Sequence, residues 1–529
     1  MNLLLLFLVS AALTALNSDG AKVERVKKDR PNQHIKDGLN ELATTDHKKS
    51  KKDSKGNALR LSNKGTTDKG KTKITRAEQE YQDLRVYGSQ LTDIRIEEHT
   101  KTLIDRKTGL PKRNVTIPAQ EKIIGDAFLD IDVDLPKITP GKYRPDKELK
   151  KLVDAADNPV HSSGETIIYV DKNDHLTAKV LETFDDLQTG SEDYIGTGPG
   201  GNEKIGQHHY GQDRSHLLVT ELTSGQCAMS NQFASAVNLE QSWTFSAANA
   251  VNFQCSMPQN ADEINGAYSA VNDAMSFATS VSEMFDYRYE EPVWRMTGTT
   301  DRRPVTVKVH YGSQYAAAWF EPSQWSVIFG DGNAAAYHTF VSLDIVAHEL
   351  AHGLIRATSQ LAYNGESGGV NEAFADMTGK AAEHHVHGAV RSWDVGQDIT
   401  KTTNGLRSMS SPVSPQISHY SQYSSALSVH KSSGIFNKAF YLFTSQGLGD
   451  NAQTAYDVFY VACTRYWGPL TNFAQAAQLT LRALDDLKQG LYFYEDYSDI
   501  DSSTLVSAFS AVGINCTQQQ ADWSCHGAS

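Results

Sequence analysis

Two histidines four residues apart, His348 and His352 in "VSLDIVAHELAHGLIR", can share one ligand if the stretch is helical, because positions i and i+4 project from one helix face. Twenty positions beyond His352, "GGVNEAFADM" supplies Glu372 on a second expected helix, with Asp376 one turn further along the same face. Two nitrogens and one carboxylate make three protein ligands and leave a fourth position for water, which suits a catalytic zinc rather than a structural one. Glu349, beside the histidines, is placed to take a proton from that water and pass it to a leaving amine. Asp376 can accept the second N–H of His348, and Asn371 that of His352, setting both tautomers. The chemistry these residue types suit is zinc-assisted hydrolysis. A salt-bridged pair of surface helices would not need this set. His430, in "ALSVHKSSGIFNKAFYLF", stands alone before an amphipathic run, and its neighbourhood by itself gives it no chemical role.

Such ligands need rigid elements behind them. Helical spacing runs over 341–357, 370–387, 433–446, 452–466, 471–488 and 502–512. Before them come short strands, as in "RRPVTVKVHYG" and "WSVIFGDGNAAAYHTF", interrupted by the helical stretch "EINGAYSAVNDAMSFATSVSEMFDY". A β-rich half, residues 200–340, followed by an α-rich half, 341–515, predicts an α+β chain of two lobes with the zinc site in the cleft between them. Upstream, "RAEQEYQDLRVYGSQLTDIRIEE" alternates like strands and "ETIIYVDKNDHLTAKVLETFDD" reads as a hairpin turning at Lys172 to His175, so residues 75–190 form a separate small α+β region. Between the two, "GSEDYIGTGPGGNEKIG" collects glycines and polar residues; residues 191–199 read as an exposed linker, the kind of segment proteases cut. Residues 516–529 are left as a C-terminal tail.

A chain of 529 residues exceeds one ordinary domain. Its start, "MNLLLLFLVSAALTA", fits a secretory signal ending near residue 17 and is too short to span a bilayer; no later stretch is long and apolar enough to do so. A secreted, extracellular protein without a membrane span is expected. Residues 18–74 form a basic arm: positions 22–74 hold 16 Lys/Arg against 7 Asp/Glu with few apolar residues, a composition expected to stay disordered. From Gly196 onward there are 31 acidic residues against 17 basic, the wrong sign for a nucleic-acid partner. The five cysteines contain no CxxC pair, so disulfides are favoured over a thiolate metal site. Cys227 with Cys255 is the favoured pair, Cys516 with Cys525 the next, and Cys463 is left over, although spacing alone does not decide connectivity.

The motifs "TGPGGNEKIG", "INGAYSAVNDA", "VHYGSQY", "VSLDIVAHELAHG", "YNGESGGVNEAFADM", "GLRSM" and "VHKSSGIFNKAFY" occur in an order that resembles the thermolysin family of secreted zinc metallopeptidases, nearest its vibriolysin and pseudolysin branch. The two-histidine, one-glutamate ligand set is that family's own. The resemblance spans roughly 196–515, and "RAEQEYQDLRVYGSQL" and "ETIIYVDKND" resemble the family's propeptide modules. It implies a zymogen whose propeptide assists folding and inhibits, a monomeric mature form, and protein or peptide substrates. It also implies that Tyr363 and His430 stabilise the oxyanion, and that Arg407 holds a substrate carbonyl and supports the zinc-binding glutamate. Phe340, Ile345, Val395 and Leu406 fall where the family lines a hydrophobic pocket, so cleavage on the amino side of Leu, Phe, Ile or Val is expected.

The chain departs from that pattern at four places. Ser428 stands where the branch has an aspartate behind its equivalent of His430, and no Asp or Glu occurs from Ile399 to Gly449 to replace it. Ala317 replaces an asparagine that binds the substrate backbone. Asp344 and Glu383 match calcium ligands, but Lys380 and Ser392 fill neighbouring ligand positions, so weak or absent Ca2+ is expected at that site. Cys516 lacks its family partner near Gln478, which favours Cys525. The leading reading is a secreted zinc endopeptidase; the alternative is a weakened zinc-binding or inhibitory scaffold of the same architecture. Retention of Glu349 with all three ligands favours the first.

Overall fold

This computed structural model describes residues 193–223, 225–247, 249–256, 262–289, 304–519 and 522–527, and upstream 22–25, 59–69, 72–81, 84–87, 90–106, 111–117, 119–129, 165–170 and 176–181. The signal expected over 1–17 lies outside them. The chain divides into two units, Met1–Glu98 with Pro118–Thr183, and His99–Ile117 with Phe184–Ser529.

In the first unit the described strands make one sheet in the order Lys22–Arg25, Gln120–Leu129, Gln90–Ile96, Thr72–Tyr81, Leu84–Tyr87, Glu165–Val170 and Leu176–Leu181, with Leu59–Lys69 paired to Thr72–Tyr81. The expected hairpin is present, Leu176 opposite Val170. Of the arm expected to be disordered, residues 18–74, Lys22–Arg25 and Leu59–Lys69 are strands, because ladder pairing satisfies a polar backbone without needing an apolar core of their own, and residues 26–58 lie outside the described ones. Of the mixed region expected around "EKIIGDAFLDIDVD", Gln120–Leu129 is a strand, and residues 130–164 lie outside the described ones.

The second unit holds the helices α1 (Ala270–Tyr289), α2 (Leu343–Ala357), α3 (Gly365–His387), the single turn α4 (Val429–Ser432), α5 (Gly434–Leu442), α6 (Ala452–Val461), α7 (Phe473–Lys488) and α8 (Ser502–Ala511). All six helices expected beyond residue 340 are there. α5 and α6 run on into π-turns, Phe443–Gly447 and Ala462–Tyr466, which accounts for the longer spans read from spacing. Before α2 lies a four-stranded sheet in the order Ala234–Asn238, Val305–Tyr311, Ser326–Gly330 and Ala318–Glu321, whose last strand is an edge joined antiparallel. The next-to-last residue of its strand Val305–Tyr311 is His310, fully buried, with Nδ1 2.5 Å from Asp331 and Nε2 2.7 Å from Asp262. That imidazole ties two loops to the sheet.

α2 is buried almost all round, from Leu343 to Ile355, because apolar residues occupy nearly every position except those that carry chemistry. α3 begins at Gly365, five residues before the helical spacing suggested. Its opening "GESGG" is poor helix sequence, and tertiary contacts override that: Glu366 accepts the Phe473 N–H at the start of α7. α2 and α3 pack tightly where Gly379 faces Asp344; a Cβ there would lie 2.9 Å from the Asp344 carbonyl. α3 ends at Gly388, whose φ of 75° closes the helix in the left-handed region.

Two boundaries differ from the sequence reading. The linker expected at 191–199 is largely strand: Asp193–Gly196 pairs with Leu217–Thr223, and Gly198–Asn202 with Gly206–Tyr210. Glycine here serves close approach, since Gly201 has a φ of 85° and its N–H reaches Asp273 at 2.8 Å. Second, the hairpin His99–Ile104/Pro111–Ile117 belongs with the helices. Ile104 N–H donates to Tyr494 O, Asp496 N–H donates back to Ile104 O, and Arg113 donates to both Asp496 carboxylate oxygens. Leu103 is fully buried beneath it. Disulfides join Cys227–Cys255 and Cys516–Cys525, the latter across the hairpin Ile514–Gln519/Asp522–Gly527, so the tail is a structured ribbon; Cys463 is buried beside Ser359.

Candidate active site

α2 presents His348 and His352 to α3, which presents Glu372, and the three offer ligand atoms within 4.8 Å of one another. Each imidazole is anchored from behind. His348 Nδ1 lies 2.8 Å from Asp376 Oδ1, and His352 Nδ1 lies 2.8 Å from Asn371 Oδ1. The Asn371 amide is oriented by its own N–H, which donates to Leu361 O, so its oxygen faces the ring and His352 Nδ1 carries the proton. Both Nε2 atoms therefore face inward, 3.2 Å apart and 3.5–3.6 Å from Glu372.

Two such nitrogens need a proton or a cation between them. Burial opposes charge on His348, but its bond to Asp376 and the carboxylates around it raise its pKa to about 9, whereas burial lowers His352 to about 4. A divalent ion would take the place of the proton. Glu372 Oε2 is buried with no hydrogen-bond partner, a lone pair aimed at the same point. The donor set of two imidazoles and a carboxylate fits zinc.

Glu349 is buried beside the ligands, with a backbone hydrogen bond to Phe320 on the edge strand, and burial pushes its carboxyl up to about 7. A carboxylate poised near neutrality can both accept and return a proton. Arg407 forks onto Asp376, Nε to Oδ2 at 2.7 Å and Nη2 to Oδ1 at 2.5 Å, while its Nη2 stays 3.9 Å from Glu372. Its contact in this structure is with the carboxylate that orients His348 more than with the ligand Glu372. The Arg407 charge and the His348 bond outweigh burial and hold Asp376 well below the usual carboxylate range.

Tyr363 donates its hydroxyl to Glu372 Oε1, and His430 Nε2 lies 3.4 Å from that hydroxyl and 3.6 Å from Glu372 Oε2. Both side chains are more than half exposed, so they line the open side of the site. Ser428 caps the single turn α4 without a side-chain bond, and among the described residues Glu372 is the carboxylate within ion-pair reach of His430. Of the pocket residues, Leu406 N–H bonds Val395 O, and Leu406 and Ile345 both approach Gly396. Phe340 is buried on the way into α2, edge-on to Tyr337. Asp344 and Glu383 meet at Lys380. Sequence reasoning missed Asn437, whose amide donates to Asp376 Oδ2 at 2.7 Å from α5. An asparagine inside the mostly apolar run "GIFNKAF" was the available signal, and it is fully buried.

Two family models cover the chain in succession: the thermolysin metallopeptidase catalytic domain over residues 203–356, and its alpha-helical domain over 359–514. The chain belongs to the thermolysin metallopeptidase family. It is 36% identical over 346 residues to the hemagglutinin/proteinase of Vibrio cholerae serotype O1, a match covering 64% of this chain and 52% of the relative. It is 30% identical over 246 residues to neutral protease NprE of Bacillus pumilus, 44% of this chain and 75% of that one. A solved precursor of protealysin, a metalloproteinase from Serratia proteamaculans, overlays 53% of this chain and 87% of its own at 24% identity, with a TM-score of 0.44. The chain thus spans about half the length of the Vibrio relative. As a thermolysin-family chain it keeps the expected order, a sheet-bearing region before α2 and a helical region after it.

Proposed function

We propose that the chain is a secreted zinc endopeptidase made as a zymogen, which cleaves protein or peptide substrates on the amino side of hydrophobic residues. The observation that carries this is the convergence of two back-anchored Nε2 atoms and the orphaned Glu372 Oε2 on one point beside a buried Glu349. His348, His352 and Glu372 would hold the ion, and zinc there supplies Lewis acidity to water and to the scissile carbonyl. Glu349 accepts the proton of the attacking water and returns it to the leaving amine. Tyr363 and His430, on the open side, donate to the oxyanion as charge develops. Asp376, gripped by Arg407 and Asn437, keeps His348 in the ligating tautomer.

Val395, Leu406 and Ile345 support the hydrophobic preference, since the Leu406 and Ile345 side chains close on Gly396, the chain neighbour of Val395. Residues 193–202 are already committed to strands, so the processing cut is expected at or before Asp193 rather than within the glycine run. Among the described residues no helix is long and apolar enough to cross a membrane. Hydrolysis of casein by the processed chain tests the reading. Activity should disappear with a zinc chelator and fall by about 10²–10⁴-fold in Glu349→Gln; a processed, zinc-loaded wild type without activity would leave the scaffold alternative standing instead.

A further inference from the structure

Lys380, on α3, is fully buried, and its ammonium is divided among three segments of chain. Nζ donates to Asp344 Oδ2 at 3.1 Å in the first turn of α2, to Glu383 Oε1 at 2.8 Å one turn along α3, and to Asp394 O at 3.1 Å. The remaining oxygens are occupied: Asp344 Oδ1 accepts from Ser342, Oδ2 also from Gly396 N–H, and Glu383 Oε2 from Arg391 N–H. A buried lysine is tolerated only when such partners repay its lost hydration. Here burial opposes the charge, and the two carboxylates hold it well above the ordinary lysine range.

Two carboxylates and a main-chain carbonyl converging from three segments are oxygen donors of the kind that bind calcium. The point they face is filled by nitrogen, however, and only with the ammonium gone could water join them to complete the six to eight oxygens that calcium takes. A divalent ion does not fit. What the ammonium joins reaches the active site: Asp394–Val395 pairs with Arg407–Ser408, and Arg407 grips Asp376 behind His348.

We propose that Lys380 is a tethered replacement for a divalent cation, holding α2, α3 and the pocket strand together without calcium. Removing the ammonium should convert this point into a calcium-dependent joint.

The test is thermal melting of the full zinc-loaded chain in millimolar calcium and in a calcium-selective chelator, a readout that needs no peptidase activity. Wild type should melt at the same temperature in both. Lys380→Gln and Lys380→Glu should each lose on the order of 10 °C in chelator and regain most of it with calcium. Regain should vanish when Asp344→Asn is added. Terbium should bind the Lys380 variants with emission sensitised by Trp393, next to Asp394 in sequence, and should show no such site in wild type. The proposal is overturned if calcium stabilises wild type through Asp344, or if neither variant is recovered by calcium. Failure of both variants to fold even with calcium present counts as the second result.

Discussion

His430 faces Glu372 and Tyr363 with its Nε2, and among the described residues Glu372 is the carboxylate within ion-pair reach of it. A hydrogen bond to a charged partner is worth about 1.5–3 kcal/mol, equivalent to roughly 10–100-fold in rate if it operates only in the transition state. Ser428→Asp should therefore raise kcat by about 10-fold and extend the alkaline side of the pH–rate profile, because an adjacent carboxylate favours a charged imidazole. Steady-state kinetics across pH decide it; an unchanged profile removes Ser428 from the account. At this scale the meeting of His348, His352 and Glu372, with Asp376 and Asn371 behind the two imidazoles, was readable because helical spacing fixes which side chains share a face. Asn437 and the Arg407–Asp376 fork were not, since each joins residues distant in sequence whose meeting depends on tertiary packing. Sequence resemblance pointed Arg407 at the zinc-binding glutamate, whereas its short bonds run to Asp376.

Elements were readable where periodicity was long. The helices after residue 340 appear close to their expected limits, because an apolar stripe repeated over several turns has one burial solution. Strands in the glycine-rich stretch 193–202 were hidden, since glycine signals flexibility and close approach alike, and only the pairing partners distinguish them. Element joints also carry a prediction. His310 links the sheet to Asp262 and Asp331; burial opposes its charge, but bonds to both aspartates raise its pKa from 6.5 to about 9. The folded state thus holds this proton more tightly than the unfolded one. The stabilisation is full below pH ~6.5 and is lost as pH rises through about 9, on the order of 3 kcal/mol in total. Melting temperatures from pH 6 to 10 should fall by roughly 5–10 °C from this source, and His310→Gln should flatten that fall while lowering stability at pH 6. A variant that still follows the wild-type curve would place the effect elsewhere.

At the scale of the molecule, division of the chain does not follow its order. Residues 99–117 lie between two stretches of the first unit and yet are built into the second. Nothing in "HTKTLIDRKTGLPKRNVTI" announces this, because its partner strip, residues 488–499, lies far along the chain at the end of α7 and beyond it. The grip combines ladder bonds through Ile104, the Arg113 fork on Asp496, the Lys101 bond to Phe493 O and the buried Leu103. While the peptide chain is intact, that grip is intramolecular and indifferent to dilution. Once a cut falls at or before Asp193, the same contacts become an association between two molecules. Release of the leading segment is then governed by concentration and ionic strength. Size-exclusion of the cut protein should show a retained segment at high concentration and a free one on dilution, with Arg113→Ala and added salt both shifting the balance towards release. Co-elution at every dilution would contradict this. On these terms the parting of the two pieces of a cut chain is set less by the cut itself than by how far they have travelled into a larger volume.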